Sequence, residues 1–227
     1  MNKSLLIAID GPSSSGKGTI AKKIANHFNL PCLNTGALYR AVAFLALESG
    51  LDLENDIVKI IPLCDEILQD RIGSRSGANS IFDLESSKIH NEEIGKAASI
   101  VASKPKIRQA LFDLQKNFAA NGIKNNGGAV LEGRDIGTTI CPEANFKFFI
   151  AANVEIRATR RFKQLQGNGQ NSNYDLILEQ LRRRDEQDQN RETSPLKQAE
   201  DAVLIDSSSL NVEETLEIIL GYINLAK

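Results

Sequence analysis

The sequence predicts an α/β fold in which a parallel sheet of five strands lies between layers of helices. Two observations carry this prediction. Apolar runs of strand length alternate with longer stretches of helical period over most of the chain, and the first run opens directly into a glycine-rich turn followed by a helix. Strands are read at residues 5–10, 31–33, 129–131, 146–151 and 202–206. Helices are read at 17–28, 36–48, 56–69, 91–102, 106–120, 154–165 and 174–190. A last one spans 212–224, where Val212, Leu216, Leu220 and Ile223 fall on one face. Residues 70–90 break the rhythm with Gly and Ser clusters and an apolar tail at Ile89, which predicts a small inserted β-meander. Residues 166–173 are rich in Gly, Asn and Gln with no apolar anchor between Leu165 and Tyr174, which predicts a mobile loop.

Composition bounds the function classes. With 227 residues, 41% hydrophobic and 25% charged, the chain has the make-up of one large globular domain carrying small inserted pieces, and disordered or fibrous classes are excluded. Lys+Arg 27 against Asp+Glu 29 leaves a formal charge of -2, which argues against a surface built for nucleic acid or anionic membrane, so anion binding must be local. Cys32, Cys64 and Cys141 are too far apart for a disulfide framework or a metal cluster and are expected as reduced thiols. The apolar run at 5–9 is cut by Asp10 before a signal-peptide core or bilayer span is complete, which predicts a cytoplasmic chain. No long exposed apolar face is evident, and a monomer is expected. His27 and His90 have no partners at ligand spacing and are read as structural.

After the first strand comes Gly11, Pro12, Ser13, Ser14, Ser15, Gly16, Lys17, Gly18 and Thr19, followed by a helical pattern from Ile20. Glycines let the backbone curl so that successive N–H groups point at phosphate oxygens, and the helix N-terminus adds partial positive charge. Lys17 is placed to reach the β- and γ-phosphates of a nucleoside triphosphate. Gly18 occupies the position where a general P-loop carries a Ser or Thr hydroxyl for magnesium. The Gly-Lys-Gly-Thr ending resembles the nucleoside-monophosphate kinases, and that resemblance implies magnesium held mainly through phosphates and water.

Four further clusters address the acceptor. Asn34, Thr35, Gly36, Ala37, Leu38, Tyr39 and Arg40 open a helix after the second strand, so its N–H groups and Arg40 could hold a second anion. Ser99 and Arg108 flank a break at Lys104-Pro105. Glu132, Gly133, Arg134 and Asp135 leave the third strand at its carboxyl end, where ligands bind in open α/β sheets. Arg184, Asp188 and Arg191 share one face of a late helix. Read alone, 182–192 is the pattern of a solvated, salt-bridged face, Tyr39 and Arg40 could be a packed aromatic and a surface charge, and Asp135 could cap a local turn.

Together these stretches resemble the cytidylate kinases over nearly the whole chain. The fold implied is a three-layer P-loop kinase domain with core segments 1–35, 106–153 and 174–227, a small β-containing acceptor-binding insertion at 36–105 and a lid at 154–173. The implied activity is transfer of the γ-phosphoryl group of ATP to CMP or dCMP with Mg2+. The resemblance implies that Ser99, Arg108 and Asp135 contact cytosine. It likewise implies that Arg40, Arg134 and Arg191 hold the acceptor phosphate with Thr35 nearby, and that Arg184 and Asp188 engage the ribose. Cytosine offers an N4 donor beside N3 and O2 acceptors, which a carboxylate and a guanidinium complement. Asn34 and Glu132 stand where the family pattern has Asp or another acidic residue.

The stretch Glu155, Ile156, Arg157, Ala158, Thr159, Arg160, Arg161 resembles the family's lid arm. Arg157 and Arg161, four residues apart, are expected to close over the donor phosphates, with Arg160 as a third member. Asp10 and Asp135, near the carboxyl ends of strands, are candidates to orient magnesium-bound water. The rival readings are a P-loop kinase acting on UMP, AMP or a non-nucleotide alcohol, and a nucleotide-sensing switch. The switch lacks support in that no Asn-Lys-x-Asp or Thr-Lys-x-Asp stretch is present for guanine recognition.

Overall fold

The structure, a computed structural model, describes residues 4–72, 88–167, 169 and 171–225. In chain order its elements are β1 (Leu5–Asp10), α1 (Lys17–Phe28), β2 (Cys32–Asn34), α2 (Thr35–Glu48), α3 (Ile57–Ile72), α4 (Glu92–Ser103), α5 (Pro105–Asn126) and β3 (Gly128–Gly133). There follow a π-turn (Ile136–Ile140), β4 (Phe146–Ala151), α6 (Val154–Gly167), α7 (Tyr174–Asn190), β5 (Val203–Asp206) and α8 (Val212–Leu225). The chain divides into two compact units, Met1–Leu33 with Ala119–Lys227, and Asn34–Phe118.

The first unit is built on a five-stranded parallel sheet in the order β2-β3-β1-β4-β5. β1 pairs with β3 from Leu5↔Gly128 to Asp10↔Gly133, and with β4 from Ile7↔Phe146 to Asp10↔Phe149. The carboxyl ends of β1 and β3 are therefore neighbours, and the chain leaves both at the edge where ligands bind in such sheets. One face of the sheet packs on α1 and α8 through Ile9, Ile24, Val130, Phe148, Ile205 and Ile219, all nearly or fully buried. Each such side chain contributes about 1.5–3 kcal/mol by leaving water. α1 stops at Asn29, whose left-handed backbone lets the Leu30 N–H reach back to the Ala25 carbonyl at 2.8 Å and turns the chain into β2.

In the second unit α2 packs against α3 and α4. Val42, Ile60, Ile67, Val101, Ile107 and Leu111 are fully buried there. Helix starts are set by asparagines. The side-chain oxygens of Asn34 and Asn91 accept from Ala37 N–H at 3.1 Å and Ile94 N–H at 2.8 Å, and in the first unit Asn173 caps α7 at 3.1 Å. Asn34 is thus a helix cap, a task its amide oxygen performs as well as a carboxylate would.

Each expected strand and helix forms, with differences at the ends. α5 runs six residues beyond its expected end at 120, to Asn126. Gly122, inside this extension, marks a close approach: a Cβ there would lie 2.7 Å from both the Gly128 carbonyl oxygen and the Ala129 Cβ. α3 continues to Ile72, into the stretch expected as a β-meander, and 73–87 of that stretch lie outside the described residues. α6 continues to Gly167, into the loop expected at 166–173. The three cysteines are free, and burial pushes the Cys64 thiol up to about 12. Among the described residues no helix is long and apolar enough to cross a membrane.

Candidate active site

The turn after β1 is a tight cradle. Gly11 has φ 153, and a Cβ on it would sit 2.2 Å from the Ile150 carbonyl oxygen of β4. Gly16 begins α1 from the left-handed region at φ 92. The loop's carbonyls are occupied by protein donors: Pro12 accepts from Lys17 Nζ at 3.1 Å, and Ser13 from Arg157 Nη1 at 3.1 Å. Ser15 accepts from Arg160 Nη1 at 3.4 Å and from the Ser207 hydroxyl at 3.3 Å. Engaging these carbonyls with donors, most of them cationic, offsets negative dipole ends that would repel a phosphate. The Ser15 hydroxyl is buried with no hydrogen-bond partner among the described residues, so it is poised for an incoming ligand.

Lys17 is buried, with Nζ 3.8 Å from Glu132 Oε2 at the end of β3. Burial first, and the Arg134 charge second, pull the ammonium down to about 7, against the opposing pull of Glu132. A Cβ at Gly18 would meet Glu132 Oε1 at 3.2 Å, so a Ser or Thr side chain would crowd the carboxylate. The missing P-loop hydroxyl and the Glu132 carboxylate are therefore two aspects of one arrangement. Among the described residues no group of three His, Cys, Asp or Glu side chains could hold a metal ion, and Glu132 is the carboxylate beside Lys17 and Gly18.

Around Glu132 gathers a buried charge cluster. Arg134 Nε donates to Asp188 Oδ2 at 2.8 Å. Arg191 lies 4.0 Å from Asp188 Oδ1 through Nη1 and 3.9 Å from Asp135 Oδ1 through Nη2, and its Nε donates to the Ser194 carbonyl. Burial is the largest single effect and pulls the Arg134 guanidinium down, but the Asp188 charge and hydrogen bond, with Glu132 and Asp185, together hold Arg134 above its ordinary value. Burial likewise opposes the Asp188 charge, and Arg134 and Arg184 more than compensate, keeping it low. Arg184 is pulled down to about 10, by burial and then by Arg134, and its Nε is buried without a hydrogen-bond partner among the described residues. Lys17, Glu132, Arg134, Asp135, Arg184, Asp188 and Arg191 are thus brought together by β1, β3 and α7. The reading of 182–192 as a solvated face holds for Arg182, Arg183 and Glu186, which are exposed, Arg182 pairing with Glu155 at 2.9 Å, but not for Asp188, which is buried. The Asp135 side chain makes no capping hydrogen bond to the π-turn that follows it.

On α6 the three arginines part company. Arg157 is buried: Nε donates to the Ala152 carbonyl at 2.8 Å, and its two Nη atoms grip Asp185 at 3.1 and 2.5 Å. Arg160 donates to the Ser207 hydroxyl at 3.1 Å and the Leu210 carbonyl at 3.2 Å, besides Ser15. Arg161 is half-buried and donates to Gln164 Oε1 at 2.9 Å. Arg157 and Arg160 therefore meet the P-loop backbone in this structure.

The second unit positions the remaining candidates. Thr35 is buried as the first residue of α2. Arg40 Nη1 donates to the Ile89 and Asn91 carbonyls at 2.9 and 3.1 Å, and its guanidinium overlies Gly95, whose Cβ position lies 3.0 Å from Nη2. Arg40 is thus bound into the start of α4, and Tyr39 is buried beneath Arg108, whose guanidinium carbon lies 5.5 Å from the ring centre. Arg108 donates to the Ala102 carbonyl at 3.3 Å across the Lys104-Pro105 break, and the Ser99 hydroxyl donates to Gly95 at 3.3 Å.

A profile of the cytidylate kinase family matches residues 7–225. The chain belongs to the cytidylate kinase family. It is 42% identical to the cytidylate kinase of Methylocella silvestris over 98% of this chain and 95% of that one. It is 44% identical to that of Azorhizobium caulinodans over 98% and 100%, and 46% identical to that of Rhodopseudomonas palustris over 92% and 91%. A solved protein from Eubacterium ventriosum, 14% identical, shares the fold at TM-score 0.53 over 97% of this chain and 98% of that one.

In this cytidylate kinase, sequence reasoning missed Asp185, Ser207 and the part taken by Asp10. The two carboxylate oxygens of Asp10 accept the N–H groups of Ile136 and Gly137, each at 2.8 Å, so it holds the start of the π-turn. Asp185 stood in plain sight beside Arg184, but helical spacing alone did not point it at Arg157.

Proposed function

We infer that the kinase moves the γ-phosphoryl group of ATP onto the phosphate of CMP or dCMP, giving ADP and the corresponding cytidine diphosphate. The observation that carries this reading is the meeting of two cationic sets at neighbouring strand ends: the P-loop with Lys17, and Arg134, Arg184 and Arg191 around Asp188. A nucleotide-sensing switch has no use for the second set.

The bond from the γ-phosphorus to the bridging oxygen of ADP breaks as an acceptor phosphate oxygen bonds to phosphorus. The transition state is loose, so the protein's task is positioning and charge stabilisation. Lys17 and the P-loop hold the β- and γ-phosphates of ATP, and Arg157 and Arg161 serve the donor side from the lid at 154–173. Arg134 lies beside Lys17 in charge contact and is assigned to the acceptor phosphate with Arg40 and Arg191. Arg184 and Asp188 are assigned to the ribose, and Thr35 to the acceptor nucleotide within the binding region 36–105. Magnesium carried by ATP would supply neutralisation of the developing phosphate charge, and Glu132, beside Lys17, would be the carboxylate at hand for it.

For the base, Asp135 receives the cytosine N4 amino group, while Arg108 and Ser99 address N3 and O2. Uracil places an oxygen opposite Asp135 and leaves a buried carboxylate facing another acceptor. A coupled assay of nucleoside-diphosphate formation with CMP, dCMP, UMP and AMP tests the reading. CMP and dCMP are expected to lead, and Asp135→Ala to lower the CMP-over-UMP preference by roughly 100-fold. Faster turnover of UMP or AMP by the unmodified enzyme would overturn it.

A further inference from the structure

Asp10 is a buried carboxylate whose two oxygens are engaged by backbone N–H groups of the π-turn. It is the last residue of β1 and is 5% exposed. Oδ1 accepts the Ile136 N–H and Oδ2 the Gly137 N–H, both at 2.8 Å, across 126 and 127 residues of chain. The peptide between Asp135 and Ile136 is held from its other side too, because the Asp135 carbonyl accepts from Thr139 N–H at 2.9 Å and Ile140 N–H at 3.1 Å. With its N–H and its C=O both fixed, that peptide plane sets the direction in which the Asp135 side chain leaves the backbone. The turn has little room to shift. A Cβ on Gly137 would already meet Lys147 Cδ at 3.3 Å and Asp10 Oδ2 at 3.4 Å.

We propose that Asp10 is a positioning residue for acceptor choice: by gripping the two N–H groups that follow Asp135, it fixes where the base-reading carboxylate stands, and so the preference for CMP over UMP. This rests on Asp135 as the cytosine contact. An amide cannot reproduce this two-oxygen grip, because its nitrogen only donates, and a protonated carboxyl group weakens it, because one oxygen becomes an O–H with reduced acceptor strength. Burial raises Asp10 to about 6, against the two N–H bonds that lower it. The charged groups facing it are Asp135, which pushes it up, and Lys17, which pulls it down. From β4 the Lys147 chain lies beside the turn, with its ammonium engaged by Asp201 at 2.7 and 2.9 Å.

The test is Asp10→Asn, assayed beside the unmodified enzyme, Asp135→Ala and the double variant. Asp10→Asn is expected to lower the ratio of kcat/KM for CMP to that for UMP by roughly tenfold, with KM for ATP within about twofold. It is expected to add no loss of preference in the Asp135→Ala background. The unmodified enzyme should lose preference as pH falls through 6, and Asp10→Asn should not follow. An unchanged ratio in Asp10→Asn, or a defect confined to KM for ATP, overturns the proposal. If Asp135→Ala itself keeps the preference, the base-contact reading fails and this proposal falls with it. Should thermal melting show Asp10→Asn unfolded, Gly137→Ala disturbs the same turn from its crowded side, and an unchanged ratio there is equally fatal.

Discussion

The P-loop and the arginine cluster, assigned above to the donor and acceptor phosphates, are built from different material. The P-loop is one continuous stretch, and its chemistry resides in backbone geometry: Gly11 and Gly16 take conformations with positive φ, and neighbouring donors engage three loop carbonyls. The cluster is assembled from residues 132–135 and 184–191, and it binds through side chains that also hold one another, as in the Arg134–Asp188 pair at 2.8 Å. A backbone cradle tolerates loss of a neighbouring side chain because its own N–H groups remain. A charge cluster does not, since deleting one carboxylate leaves buried guanidinium groups facing each other.

The largest expected effect follows from that contrast. Asp188→Ala removes the main counter-charge of Arg134 and Arg184 and is expected to destabilise the fold by about 3–5 kcal/mol in denaturant unfolding. A loss below 1 kcal/mol would show that the cluster is solvated and no different in kind from the P-loop. Lys17→Ala is expected to leave folding nearly intact and to lower kcat by roughly 10²–10³ with every acceptor. An acceptor-selective defect would move Lys17 to the other side of the comparison.

Arg160→Met removes donors to Ser15, Ser207 and Leu210 without touching the cluster around Asp188. KM for ATP is expected to rise roughly tenfold and KM for CMP to stay unchanged. The smallest signal is a fraction of a proton. Lys17 is depressed to about 7 in the free enzyme, and bound phosphates would raise it again. Binding of ATP is therefore expected to take up protons increasingly between pH 7 and pH 8, and almost none below pH 6, where the ammonium is charged already. Calorimetry in buffers of different ionisation enthalpy reads this directly.

What the sequence disclosed follows the same division. β1, the P-loop and α1 are contiguous, so turn chemistry and periodicity were enough to place them. Spacing of three and four residues put Arg184, Asp188 and Arg191 on one face; Arg184 and Asp188 lie on α7, while Arg191 is the extended cap just beyond it and still reaches within 4.0 Å of Asp188. It could not say that this face is buried, because burial depends on β3 arriving from fifty residues away. On α6, periodicity grouped Arg157 with Arg161, but the choice of Arg157 and Arg160 as P-loop contacts is made by how that helix lies against β1. The end of α5 shows the same limit: the helix runs past residue 120 to Asn126, and Gly122 within it is required by its closeness to β3, which no local pattern reports.

One small contact sets two engineering aims against each other. Gly95 lies inside α4, where replacing glycine by alanine ordinarily strengthens a helix by about 0.5–1 kcal/mol. Here the added methyl would stand 3.0 Å from the Arg40 guanidinium, the group assigned to the acceptor phosphate. A search for heat-tolerant variants that scored only melting temperature would select that methyl, and would do so by displacing the arginine from its seat on α4.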